Sequence, residues 1–221
     1  SRFFEVLDTV GALETTFPEL AALKDVPAGP EQYHREGTAF CHTMMVLDEM
    51  KELRPDDELA LLMSLSHDLG KAATDMEELP GHPKHTKNGK HIADGMADRL
   101  SMSNEQRDAM KKAARLHMRF HDIEDLREST VIEMAEQLDA EDVYRFIDLT
   151  IADSRGRIPS KDVRAGPMFA RFFAAFEAIE RWSGQDLIED GYSPDEMGGE
   201  EFGNLLRQRR VERMRETEGM V

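Results

Sequence analysis

The chain is short of several things that would otherwise set its class. It has one cysteine in 221 residues, Cys41, so no intrachain disulfide can form and nothing points to an oxidising compartment. No apolar run approaches the roughly 20 residues that span a bilayer, and the first residues do not resemble a signal peptide. Aromatic residues make up only 7 % of the chain, which disfavours sheets. Positive charge is scarce: 28 Lys and Arg against 45 Asp and Glu leave a net charge of −17. That balance argues against a generic nucleic-acid binder, whose phosphate contacts need basic surface. Internal repeats, low-complexity tracts and convincing strands are missing too. These absences lead to the expectation of a cytoplasmic protein with no membrane partner, or of one adapted to salt, and they leave the oligomeric state open.

Leu, Ala and Met are plentiful, and 40 % of the residues are hydrophobic against 33 % charged, enough for a packed core under a polar surface. The fold class expected is all-α, a helical bundle. Apolar spacing marks an amphipathic helix over 2–14, with Phe3, Phe4, Leu7, Val10 and Leu13 on one side. A loop over 26–37 follows, punctuated by Pro27, Gly29, Pro30 and Gly37 and carrying His34. Further helices are expected over 38–53, 82–100, 103–120, 130–138, 141–153, 169–182 and 200–216, with Ser103 and Gln106 as a capping box. Three regions result: a helical lead-in over 1–37, a core over 38–158, and a helical extension over 159–221 packed on it. Arg207, Arg209, Arg210, Arg213 and Arg215 crowd the last helix. They fit either a local RNA contact or a solvated face paired with Glu212 and Glu216.

One stretch organises the rest. Leu61-Leu62-Met63-Ser64-Leu65-Ser66 is apolar almost all round, so its helix is central, and it runs into His67-Asp68-Leu69-Gly70-Lys71. Gly70 is expected to stop the helix. A His-Asp pair alone fits a satisfied core histidine as well as a metal ligand. With His42 and Asp153 it becomes a set of two imidazoles and two carboxylates, each at a helix end, in the order H…HD…D. Such an N/O donor set suits Ni, Mn, Mg, Co, Fe or Zn without choosing among them. Adjacent residues stand roughly 100° apart round a helix, so His67 and Asp68 grip one ion only where the helix frays.

The order H…HD…D resembles the HD phosphohydrolase superfamily. The likeness extends to Arg2-Phe3-Phe4-Glu5-Val6-Leu7, Phe17-Pro18-Glu19-Leu20 and Ala152-Asp153-Ser154-Arg155-Gly156-Arg157, which are similar to the HD region of bacterial CCA-adding enzymes. The Gly-Ser and Asp-x-Asp motifs of the nucleotidyltransferase head of those enzymes are absent. Glu141-Asp142-Val143-Tyr144-Arg145 imitates a nucleotide-selecting motif of that head, but lies between metal ligands and is taken as coincidence. The resemblance implies an HD-domain bundle with His42, His67, Asp68 and Asp153 as metal ligands. It also places His85 and His117 near the metal, as second-ion ligands or phosphate holders. Asp68, Lys71, His85 and His117 are the catalytic candidates; Lys71, Arg155, His82 and His121 are the substrate-binding ones. His34 and His91 are expected to be bystanders. The implied activity is metal-dependent hydrolysis of a 2′,3′-cyclic phosphate, a 2′-phosphate or another phosphoester on a nucleotide or an RNA 3′ end, with tRNA as a possible partner. Two alternatives stand beside it: an HD hydrolase of other nucleotides, and a non-catalytic tRNA-binding body that works with a separate head.

Overall fold

The computed structural model describes residues 1–219. Among these the regular elements are helical, and the nearest approach to a strand is an isolated antiparallel bridge between Pro27 and Thr38. The α-helices are α1 (Arg2–Thr9), α2 (Leu13–Thr16), α3 (Pro18–Ala21), α4 (Ala39–Leu53), α5 (Glu58–Ser66), α6 (His85–Arg99) and α7 (Asn104–His121). They continue with α8 (Glu128–Ala135), α9 (Ala140–Arg155), α10 (Ala165–Arg181), α11 (Gly184–Glu189), α12 (Pro194–Met197) and α13 (Gly199–Glu218). The all-α expectation holds. The helix expected over 2–14 is two helices, because Gly11, at φ +72°, turns the chain between α1 and α2.

Local chemistry fixes the starts of the helices that matter. Thr38 caps α4 by accepting from the Cys41 N–H, and Asp57 caps α5 by accepting from the Ala60 N–H. Ser103 and Gln106 form the expected reciprocal box, each side chain accepting from the other's backbone N–H at 3.2 and 2.9 Å.

The chain divides into two units. The first comprises Ser1–His121 and Arg145–Val163. In it, α5 packs between α4 and α7, while α6 lies against α7 and against the 3-10 turn Leu69–Ala73. Its core gathers Leu13, Leu20, Leu23, Phe40, Met44, Leu65, Leu69, Met96 and Met110. Phe120 stacks on Phe146 with ring centroids 4.5 Å apart, and both are fully buried.

Gly70 does not stop a helix. α5 already ends at Ser66, and Gly70 sits inside the turn Leu69–Ala73. Its role is a close approach: a Cβ there would lie 1.9 Å from the His85 carbonyl oxygen and 2.4 Å from the Gly89 N. The missing side chain lets the turn after His67-Asp68 press against the first turn of α6. Gly156 does the same beyond the end of α9, where a Cβ would lie 2.8 Å from Val46 of α4.

The second unit comprises Asp122–Tyr144 and the residues from Arg164 on. In it α8, α10 and α13 pack together. The arginines of α13 face carboxylates there: Arg215 bonds Glu128 at 2.9 Å, Arg210 pairs with Glu136, Arg213 with Glu177 and Glu216, and Arg209 with Glu212. No described helix is long and apolar enough to cross a membrane.

Candidate metal centre

The predicted donors lie in the first unit and meet at helix ends. His42 stands in the first turn of α4, behind the Thr38 cap. His67 closes α5 with helical dihedrals, φ −54° and ψ −39°, and Asp68 then leaves the helix at φ −108°, ψ 8°. That change is the fraying that lets adjacent side chains point to one place. His85 opens α6, His117 and His121 occupy the last turns of α7, and Asp153 lies near the end of α9.

Asp68 is the hub. Its Oδ2 lies 3.3 Å from His67 Nε2 and 3.8 Å from His42 Nε2; its Oδ1 lies 3.6 Å from His117 Nε2 and 3.8 Å from His85 Nε2. Asp153 joins the first side, with Oδ1 at 3.0 Å from His42 Nε2, while its Oδ2 is 2.5 Å from His121 Nε2. Two triads able to hold an ion therefore share one carboxylate: His42, His67 and Asp68, and Asp68, His85 and His117.

The hydrogen bonds behind the rings decide how the imidazoles face. A carbonyl only accepts, so any ring nitrogen bonded to one must carry a proton. His67 Nδ1–H donates to the Ser64 carbonyl at 2.7 Å, His85 Nδ1–H to that of His82 at 2.6 Å, and His117 Nδ1–H to that of Ala113 at 3.0 Å. His42 Nδ1–H faces the Gly156 carbonyl at 3.2 Å. Each Nε2 thus faces Asp68, and its lone pair is free for a cation whenever the ring is neutral. His85 and His117 bring their Nε2 atoms to 3.2 Å of each other, and His67 Nε2 is buried with no hydrogen-bond partner. Converging lone pairs repel and a buried unpaired acceptor is costly, unless positive charge sits among them. The residues therefore fit a divalent cation, and the N/O set leaves its identity open.

The electrostatics agree. Burial works against ionisation of Asp68, but the Lys71 ammonium, 2.7 Å away, and then His67 hold its carboxyl well below the usual carboxylate range. Burial also opposes ionisation of Asp153, but His121 and then His42 outweigh it and hold its carboxyl well below the usual carboxylate range. Burial alone would lower His42, yet Asp153 and Glu36 push it up to about 9, so this side of the site favours a positive charge. His117 is held down at about 3 by burial, then by His67 and His85 against the pull of Asp68, and so keeps a neutral ring.

The remaining candidates fall into place differently. Lys71 is buried, its Nζ donating to the Ala28 carbonyl at 2.6 Å as well as reaching Asp68. His82 lies before α6 rather than on it, with Nε2 donating to the Pro27 carbonyl at 2.9 Å and Nδ1 accepting from Thr74 Oγ1 at 2.8 Å. Both of its nitrogens are thereby committed to bracing the loop. Arg155 is exposed. Arg157 instead reaches the site, its Nη2 donating to Asp153 Oδ1 at 2.9 Å. His91 is exposed, but His34 does not stand apart: its ring meets that of His42 edge-on, centroids 5.3 Å apart. Glu36, which no motif singles out, is buried between them, and its carboxyl is lowered to about 2. Burial opposes that shift, and bonds from His42, the Ile158 N–H and His34 outweigh it. Arg157 had an available signal, four residues beyond Asp153; Glu36, in an irregular loop, had none.

Comparison with known proteins gives a consistent result. The HD domain family model matches residues 34–154. The chain is 36 % identical over 213 residues to a Multifunctional CCA protein of Halorhodospira halophila, covering 95 % of this chain and 49 % of the relative. It is 34 % identical over 220 residues to one of Thioalkalivibrio sulfidiphilus, covering 98 % and 52 %. It is 30 % identical over 227 residues to one of Pasteurella multocida, covering 99 % and 52 %. The chain thus spans about half the length of the curated relatives it matches.

Proposed function

Because the chain belongs to the HD-domain family of metal-dependent hydrolases, we propose that it hydrolyses nucleotide or RNA-end phosphoesters, above all 2′,3′-cyclic phosphates and 2′-phosphates. One observation carries the reading: four imidazoles, each with Nδ1 committed behind it, turn Nε2 towards the two oxygens of Asp68. The name of the relatives, Multifunctional CCA protein, supports a substrate at an RNA 3′ end, with tRNA as the partner.

When bound, a divalent cation supplies charge opposite the phosphoryl oxygens and acidifies water. The remaining work falls to the side chains. His42, His67, Asp68 and Asp153 would hold the ion, and His85 and His117 would extend the set. Lys71 keeps Asp68 ionised from behind, and its burial suits that role better than contact with an incoming phosphate. Arg157 keeps Asp153 turned inward. His121, on Asp153 and partly exposed, would supply the proton that the departing ribose oxygen takes. The carboxylate pairing of the α13 arginines weighs against a purely tRNA-binding body.

The test is to strip the protein with chelator and add back Mg, Mn, Ni, Co or Zn with 2′,3′-cyclic AMP, 2′-AMP and a generic phosphodiester. Turnover of the first two is expected with at least one metal, and its loss in His67→Ala and Asp68→Ala. Folded variants that keep full hydrolysis of 2′,3′-cyclic AMP would refute the site.

A further inference from the structure

The four imidazoles around Asp68 differ in what stands behind them. His67, His85 and His117 each have only a neutral backbone carbonyl at Nδ1. His42 has the Gly156 carbonyl at 3.2 Å and, at the same distance, Oε1 of Glu36. The Glu36 carboxylate is not a surface group that happens to lie near: its side chain is 1 % exposed. Three N–H groups from three segments converge on it. Oε1 also takes His34 Nδ1 at 2.6 Å, and Oε2 accepts the Ile158 N–H at 2.8 Å. His34 is itself fixed, its ring filling the space over Gly29, where a Cβ would lie 2.5 Å from His34 Cδ2. The loop before α4 and the segment after α9 therefore clamp one carboxylate behind one imidazole.

We propose that Glu36 is a positioning residue for the metal centre: it fixes the His42 ring with Nε2 inward and so strengthens the hold of that nitrogen on a cation. The inference rests on the reading of His42 as a ligand. A carboxylate behind a ligating histidine holds its tautomer and orientation and strengthens its donation, and loss of such a partner typically weakens metal binding by about 10- to 100-fold. His34 completes the arrangement by holding the other side of the Glu36 oxygen.

The test uses Co(II) titrated calorimetrically into the chelator-treated full chain. Glu36→Gln preserves shape and an acceptor for the Ile158 N–H while removing charge. Its expected Kd for Co(II) is at least about tenfold weaker than wild type, with an altered Co(II) visible spectrum. A merely structural role would lower the urea midpoint in chelator and leave Kd and spectrum unchanged, and that result overturns the proposal. His42→Ala separates the two layers of the argument. If His42→Ala leaves Kd unchanged, the ligand reading itself fails and takes this inference with it. If His42→Ala weakens binding and Glu36→Gln does not, only the role of Glu36 fails. Should Glu36→Gln not fold, wild-type protein still decides the matter by histidine 1H–15N NMR. A downfield His42 Nδ1–H that persists in the Zn(II)-loaded state supports the proposal, and its loss on loading overturns it.

Discussion

Gly70→Ala is the sharpest single test of how the site is assembled. The added methyl would lie 1.9 Å from the His85 carbonyl oxygen and 2.4 Å from the Gly89 N, both of them backbone atoms of α6. Contacts closer than 3.0 Å essentially never occur for real Cβ atoms, so the first turn of α6 must retreat by about 1 Å or more. Overpacking of this kind costs typically 1–3 kcal/mol, and two unyielding backbone contacts place this case at about 3 kcal/mol or above. For a domain of this size that is a fall of roughly 6–12 °C in Tm. The same retreat carries His85 away from His117 Nε2, now 3.2 Å away, and from Asp68. Metal centres tolerate displacements of only about 0.5 Å, so affinity for Mn(II) should fall at least tenfold as well. Urea melts in chelator and calorimetric Mn(II) titrations read the two effects separately. Gly95→Ala is the matched control in the same helix, where a Cβ meets nothing within 4 Å. It should gain up to about 1 kcal/mol from helix propensity. A Gly70→Ala protein with the wild-type urea midpoint and an unchanged Mn(II) titration would refute the close-approach argument.

Other outcomes follow from the same geometry. Saturating divalent metal at about 100 times Kd should raise unfolding free energy by about 2.7 kcal/mol over the chelated protein, read as a shift of the urea midpoint; no shift with any of the five metals contradicts the centre. Arg157→Ala should weaken metal binding by releasing Asp153, whereas Arg155→Ala, at an exposed position, should match wild type in the same titration. Phe146→Ala removes one of two fully buried stacked rings and should cost about 3–5 kcal/mol in a urea melt. Asp57 is held below its ordinary value: burial opposes ionisation, but the Ala60 N–H, Arg145 and Arg54 outweigh it. A depressed carboxylate contributes stability that is complete above its unfolded value near pH 4 and lost as pH falls through the folded value. Asp57→Asn keeps the cap acceptor and removes the charge, so it should destabilise at pH 7 and progressively less as the pH falls below about 4, measured as paired urea midpoints.

The parts of this site that were legible in the sequence are those that local spacing determines. His67-Asp68 follows an apolar helix, His42 follows a capped helix start, and Asp153 ends a helix, so each could be placed at a terminus before any contact was known. His117 and His121, four apart, do share a face of α7 and reach Asp68 and Asp153 respectively. The helix expected over 82–100 begins only at His85, so His82 lies in the loop before it. Gly70 illustrates the deeper limit. A glycine after an apolar helix reads as a stop, yet its conformation here is ordinary and its necessity comes from α6, which approaches from more than a dozen residues along the chain. Glu36 is the extreme case. Its partners are His34, His42 and the Ile158 N–H, and the last lies 122 residues away. Ligand types are thus written in short motifs, whereas the groups that orient them are supplied by whatever backbone the fold brings behind them. A carbonyl behind His67, His85 and His117 leaves no mark in the sequence, because every residue has one. Only where the fold recruits a side chain, as with Glu36 behind His42 and Arg157 behind Asp153, can substitution separate the orienting role from the ligating one.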